Sequence, residues 1–152
     1  MLKNFKDYLY RNIPISRAMC VSVLELSEYS VILGAPLAPN INHQETAFGG
    51  SLSTLAILSA WSLVHTRLAN ANLSGRVIIQ RNNFEYLRPV DGNFTARATL
   101  PEPGDWLRFT RMLARRGKAR LTVQSLLEQD GRLCGRFSGE FVALTTRAVP
   151  RL

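Results

Sequence analysis

Between Asn40 and Thr54 the chain gathers residues suited to proton transfer and to holding negative charge: Asn42, His43, Glu45, Thr46, Gly49, Gly50, Ser51 and Thr54. An imidazole such as that of His43 can take a proton from water as that water attacks an electrophile. Asn42 can hold the water or a substrate oxygen, Glu45 adds a carboxylate, and the Thr46, Ser51 and Thr54 hydroxyls can position the nucleophile. The first amides of a helix lack internal acceptors and sit at the positive end of its dipole. A helix beginning at Gly49-Gly50 therefore aims donors at a developing anion. With no Cβ at either position, a ligand can come close to the backbone.

Each of these residues also has a plainer reading. His43 can be a loop histidine bonded to backbone, and Asn42 a turn or capping residue. The glycine pair can serve close helix-sheet packing. His65, near the end of the same helical stretch, reads as structural. Phe48, Trp61 and the Leu and Ile residues between them read as core, and in a wrapped helix they can line a pocket as well.

The elements around this segment follow from periodicity and punctuation. Residues 1–11 read as a short amphipathic helix, followed by a turn at Ile13-Pro14-Ile15. Met19–Ser27 and Tyr29–Leu37 are β-branched-rich and read as a hairpin, stopped by Pro36 and Pro39. Asn40–Glu45 is a polar loop. A long helix then runs from Gly49 to Ala69, closed by Asn70, Asn72, Ser74 and Gly75. Strands are expected over Arg76–Leu87 and Asn93–Leu100, joined by a turn at Pro89-Val90-Asp91-Gly92. In the second, Phe94, Ala96, Ala98 and Leu100 share one face. Pro101, Pro103 and Gly104 precede a second helix that starts near Asp105 as N-cap, with Trp106, Phe109 and Leu113 at helical spacing. Gly117 ends it. Ala119–Glu128 and Arg132–Leu144 form a last hairpin closed by Gln129-Asp130-Gly131, with Leu121, Val123, Leu127, Phe137, Phe141 and Ala143 inward.

A run of antiparallel strands interrupted by one helix that is apolar all round implies an α+β fold, with a curved sheet of about six strands wrapped around that long central helix. Such a sheet has an open edge, and pairing edge to edge across a two-fold axis protects it, so a homodimer, or a tetramer built as a dimer of dimers, is expected.

At 152 residues, 46% hydrophobic and 20% charged, residues 1–152 suit a single domain with one core. Cys20 and Cys134 stand apart without a neighbouring Cys or paired His, which argues against a disulfide framework and a zinc site and fits a reducing cytoplasm. Neither a metal nor a cofactor is implied. The start of the chain lacks the apolar run of a secretory signal. Thr46–Thr66 carries no Asp, Glu, Lys or Arg over 21 residues, yet its serines, threonines, His65 and glycine pair, and its place among strands, read as a protein-wrapped helix rather than a membrane span. Net charge +8 favours an acidic partner without selecting one. Arg108, Arg111 and Arg115 fall on one helical face that Arg116, Lys118 and Arg120 extend: a docking patch for phosphate or an acidic carrier, or a solvated face. The lack of interleaved aromatics argues against nucleic acid.

Asn40-Ile41-Asn42-His43, followed by Thr46-Ala47-Phe48-Gly49-Gly50-Ser51-Leu52, resembles the hot-dog thioesterases, and more closely the thioesterase group named for the C-terminal domain of YiiD. Tyr86-Leu87-Arg88-Pro89-Val90, Leu113-Ala114-Arg115-Arg116-Gly117 and Gly139–Leu144 carry the resemblance over almost the whole chain. It implies a hot-dog fold and a pantetheine thioester, on coenzyme A or acyl-carrier protein, lying in a groove at a subunit interface with its carbonyl near the start of the central helix. Asn42, His43, Glu45, Gly49 and Gly50 then carry the chemistry, and Thr46, Phe48, Ser51, Thr54, Arg88 and Arg115 contact substrate. Two departures stand out. Many such enzymes have an Asp or Glu a couple of turns into the central helix, where this chain has none. Glu45 also stands where the group has glycine. Hydrolysis is the leading expectation; dehydration, cyclising release and non-catalytic binding of acyl thioesters are the alternatives.

Overall fold

The computed structural model describes residues 1–100 and 102–145; Pro101 and residues 146–152 lie outside the described residues. The elements are helices α1 (Leu2–Asn12), α2 (Pro14–Ala18), α3 (Gly49–Asn70) and α4 (Pro103–Arg116), and strands β1 (Ser22–Leu26), β2 (Ser30–Ala35), β3 (Arg76–Tyr86), β4 (Phe94–Thr99), β5 (Lys118–Gln129) and β6 (Arg132–Leu144). The six strands form one sheet in the order β1-β2-β4-β5-β6-β3, every neighbouring pair antiparallel.

The strands alternate as a half-buried sheet requires. On β5, Ala119, Leu121, Val123, Ser125 and Leu127 point inward, and on β4 Phe94, Ala96 and Ala98 do the same. Together with Phe137 and Phe141 of β6 they enclose α3, whose buried residues Leu52, Leu55, Ala56, Leu58, Ala60, Leu63 and Val64 cover most of its circumference. Such a helix needs protein on nearly every side, and the sheet curves to supply it. Two polar contacts join the middle of the helix to the sheet: the Ser59 and Ser125 hydroxyls lie 2.7 Å apart, and Trp61 Nε1 donates to the Val77 carbonyl at 2.9 Å. Among the described residues no helix is long and apolar enough to cross a membrane.

Several expectations are corrected. The segment between β3 and β4 is not a hairpin turn. β3 pairs only with β6 and β4 lies between β2 and β5, so residues 87–93 carry the chain across the sheet, tied down where Asp91 N–H donates to Gln129 Oε1 and Gln129 Nε2 donates to Asp91 Oδ1. Pro14 opens a helix rather than a turn, since a missing N–H is harmless at a first helical position. Pro103 does the same for α4, which moves the N-cap to Glu102 and places Asp105 inside the first turn, paired with Arg108 at 3.0 Å. β1 and β2 are shorter than their β-branched runs because Met19 caps α2, Cys20 turns through a φ of +56° and Leu37 caps the turn Ala38–Asn40. The β5–β6 turn is the expected one: Asp130 and Gly131 both have positive φ, +50° and +74°, as a two-residue turn matching strand twist needs.

α1 lies against α3 through a stack of rings, with His65 between Tyr8 at 5.3 Å and Trp61 at 4.5 Å. His65 is structural, and partial burial holds its pKa below the ordinary imidazole value. The unfolded chain therefore binds a proton here more readily than the folded one. Stability is complete above the ordinary value, near 6.5, and falls as the pH drops through it. Urea midpoints at pH 7.5 and 5.5 should differ more for the wild type than for His65→Phe, which keeps the stack and removes the titration.

Candidate functional site

The loop before α3 is built by its own side chains. Asn42 Oδ1 accepts from the Gln44 and Thr46 amides at 2.8 and 3.1 Å, and its Nδ2 donates to Thr46 Oγ1 at 2.9 Å. The Asn42 amide itself donates to the Thr46 carbonyl at 2.7 Å. Asn42 is thus the keystone of a tight turn, its oxygen fully engaged and one Nδ2 hydrogen left over. Thr46 is its partner. The turn closes through Glu45, whose φ of +63° lies in the left-handed region. That conformation explains why glycine is natural at this position, since a Cβ there is strained. Glu45→Gly is expected to raise stability by up to about 1 kcal/mol, read from the urea midpoint.

Two residues absent from the sequence-based site, Asn40 and Val90, anchor this turn. Asn40 is only 2% exposed, and its Nδ2 donates to the Met19 and Pro36 carbonyls at 3.1 and 2.8 Å. Its own carbonyl accepts from Phe48 N–H, and the Val90 carbonyl accepts from Ala47 N–H, both at 2.7 Å. The signal for Asn40 is an asparagine directly after Pro39 where the chain must turn inward. Nothing local in the sequence marks Val90, because its partner lies across the fold.

At the end of this loop Phe48 is the N-cap of α3, with no side-chain cap. Ser51 and Leu52 amides both reach the Phe48 carbonyl, at 2.9 and 3.2 Å, whereas the Gly49 and Gly50 amides have no acceptor among the described residues. A phenylalanine cap forgoes roughly 1 kcal/mol that Ser, Asp or Asn would supply, and leaves two donors at the positive helix end uncovered. The space beside these glycines is partly occupied. A Cβ on Gly49 would lie 3.3 Å from the Tyr86 ring, whose hydroxyl donates to the Gly49 carbonyl at 3.0 Å, and one on Gly50 would overlap the Phe48 ring. Both rings sit at the surface, Phe48 58% and Tyr86 56% exposed. Gly49 opens onto a hollow of about 360 Å³ lined also by Ala47, Leu52, Leu87, Arg88 and Val90.

The other expected site residues are distributed unevenly. Arg88 shares this hollow with Gly49. His43 and Glu45 are exposed on the loop, Ser51 and Thr54 are half-exposed along the first turns of α3, and no carboxylate stands among those turns. Arg115 is elsewhere, at the end of α4 beside Leu107, Arg111 and Met112, and is not brought to the Gly49 hollow within one subunit.

The family model described as "Putative thioesterase (yiiD_Cterm)" matches residues 2–145. The chain belongs to this thioesterase family. A protein of unknown function from Chlorobaculum tepidum is 28% identical with a TM-score of 0.88, the match covering 95% of this chain and 94% of that one. A "putative thioesterase" from Shewanella oneidensis, also 28% identical, has a TM-score of 0.83 over 94% of this chain and 96% of its own. A thioesterase from Haemophilus influenzae, 16% identical, shares the fold at a TM-score of 0.78, covering 99% of this chain and 95% of that one. The architecture is the hot-dog fold of this family: one long helix enclosed by an antiparallel sheet.

Proposed function

We propose that the protein hydrolyses acyl thioesters of coenzyme A or acyl-carrier protein, with the thioester carbonyl oxygen received by the Gly49 and Gly50 amides. One observation carries the reading: two adjacent helix-start donors without an acceptor among the described residues, the first of them beside a hollow, in a member of a thioesterase family. Water adds to the carbonyl carbon, the C=O electron pair moves onto oxygen, and the amides stabilise that oxyanion. Collapse re-forms C=O and expels the thiolate, which takes up the proton lost by water. In this reading the exposed His43 imidazole relays that proton, with Glu45 as the other candidate, while Asn42 fixes the turn and offers its remaining Nδ2 hydrogen to the water. Thr46, Ser51 and Thr54 border the path, and Phe48 and Arg88 flank the substrate.

The functional unit in this reading is a homodimer. Among the described residues β3 is an edge strand of 11 residues with unpaired backbone along its outer side and Ile78 half exposed, and a second copy pairing there would cover it. Its mass in solution should be twice that of the chain or a multiple of that. Two free thiols, Cys20 and Cys134, support a reducing cytoplasmic setting.

The test is release of free thiol across a panel of acyl-CoA and acyl-carrier-protein thioesters. Wild type releases thiol, and His43→Ala lowers turnover at least about 10²-fold, the range of general base catalysis; a loss of that size in Glu45→Ala instead reassigns the base. Binding of the same thioesters with no thiol appearing, or conversion of the acyl portion with the thioester intact, overturns hydrolysis.

A further inference from the structure

We propose that the groove between α4 and β5 binds the phosphorylated adenosine end of coenzyme A, an assignment that rests on the thioesterase reading and names its substrate class. β4 pairs with β5 only over Gln124–Glu128, so from Lys118 to Val123 one edge of β5 has no strand beside it among the described residues. α4 occupies that place, sinking Phe109 and Leu113 into the core. Between helix and strand it leaves a groove of about 800 Å³, within the range of small-molecule sites.

The lining divides into a floor and a rim. Phe109, Met112 and Leu121 make an apolar floor, with Met112 39% exposed. Arg108, Arg116, Lys118 and Arg120 make the rim. The acid in the groove, Asp105, is already paired with Arg108. Arg116, Lys118 and Arg120 have no carboxylate within ion-pair distance among the described residues. Three like charges gathered around a recess repel one another until an anion arrives. An apolar floor beneath a cationic rim suits a planar base carrying several phosphates. A folded acidic partner is a poorer fit, because protein contacts of ordinary size cover roughly 800 Å² per side and seldom lie inside a recess.

Topology brings this groove to the reacting end of the substrate. Arg76 of β3 aligns with Leu144 of β6, which aligns with Lys118 of β5, whereas the glycine step lies at the Tyr86 end of β3. Antiparallel pairing of two β3 edges sets the Arg76 end of one subunit beside the Tyr86 end of the other. The groove of one subunit then lies about three strand spacings, roughly 14 Å, from the glycine step of the second. An extended pantetheine arm spans that gap.

The experiment titrates adenosine 3′,5′-bisphosphate into the full chain by calorimetry, and compares kcat/KM for one acyl group on coenzyme A and on N-acetylcysteamine, which lacks the nucleotide. In the combined variant Arg116→Ala, Lys118→Ala, Arg120→Ala, bisphosphate binding weakens at least about tenfold, and the coenzyme A to N-acetylcysteamine ratio falls by a similar factor. All three residues are exposed, and Arg120→Glu alone provides a second variant. Arg111→Ala, on the other flank of α4, leaves bisphosphate binding within about twofold. Equal affinity in wild type and the combined variant overturns the assignment, as does an equal loss in Arg111→Ala. A loss seen with acyl-carrier-protein thioesters and not with acyl-CoA overturns it in favour of a carrier docking face. If no thioester is hydrolysed by wild type while bisphosphate binding is present and lost in the variants, the groove stands and the hydrolysis reading falls.

Discussion

Gly49→Pro is expected to lower turnover by about 10²–10³ while the protein still folds, because it deletes one amide donor and little else. Gly49 is the first residue of α3, where proline is well tolerated: the lost N–H has no intrahelical partner and the fixed φ suits a helix start. Phe48 before it already has extended backbone, φ −60° and ψ 132°, which a residue preceding proline prefers. The new ring carbons meet Tyr86, whose ring must shift by a few tenths of an ångström. Gly49→Ala is the control, since it brings the same contact but keeps the N–H, and its loss of turnover should be far smaller. Thiol release and a thermal melt on both variants read the result; equal activity of Gly49→Pro and wild type would remove the amide from the mechanism.

Asn40→Ala should produce the larger change in stability, about 2–4 kcal/mol. Deleting that side chain leaves the Met19 carbonyl without its donor in a buried bond and the Pro36 carbonyl without its donor in a partly buried one. These two bonds tie the end of α2 and the end of β2 to the loop that feeds α3. Turnover should therefore fall along with the denaturation midpoint. A midpoint shift below about 0.5 kcal/mol, the size expected at an ordinary surface position, would show that the loop is held by backbone alone.

Much of the fold was legible because its strongest signals are local. The long helix was readable from a charge-free run opened by two glycines and closed by Asn70, and β5 and β6 from alternation around Asp130-Gly131. What escaped depended on distant partners. Pro89-Val90-Asp91-Gly92 looks like a hairpin turn, and only the pairing of β3 with β6 makes it a crossing. Prolines 14 and 103 can end an element or begin one, and here both begin helices.

The site divides along the same line. A helix start at Gly49 with two spare donors follows from sequence. That Asn42 spends its oxygen on the turn, that Tyr86 reaches back to the Gly49 carbonyl, and that Asn40 holds the whole loop do not, since each is set by side-chain partners rather than by spacing. The left-handed backbone at position 45 gives the Glu45 departure a physical meaning: the position has a conformational preference that a carboxylate there must override.

A rod greasy on every side has no preferred way up, and α3 comes close to being one. Burial fixes where its axis lies but hardly distinguishes one angle of spin from another, and a slip by one residue would swing every side chain by about 100°. The Ser59–Ser125 and Trp61–Val77 contacts act as a key in a slot, locking that angle from the middle of the helix. Aim at the far end, where the glycines sit, is thereby set from the helix middle as well as by the Tyr86 bond at Gly49.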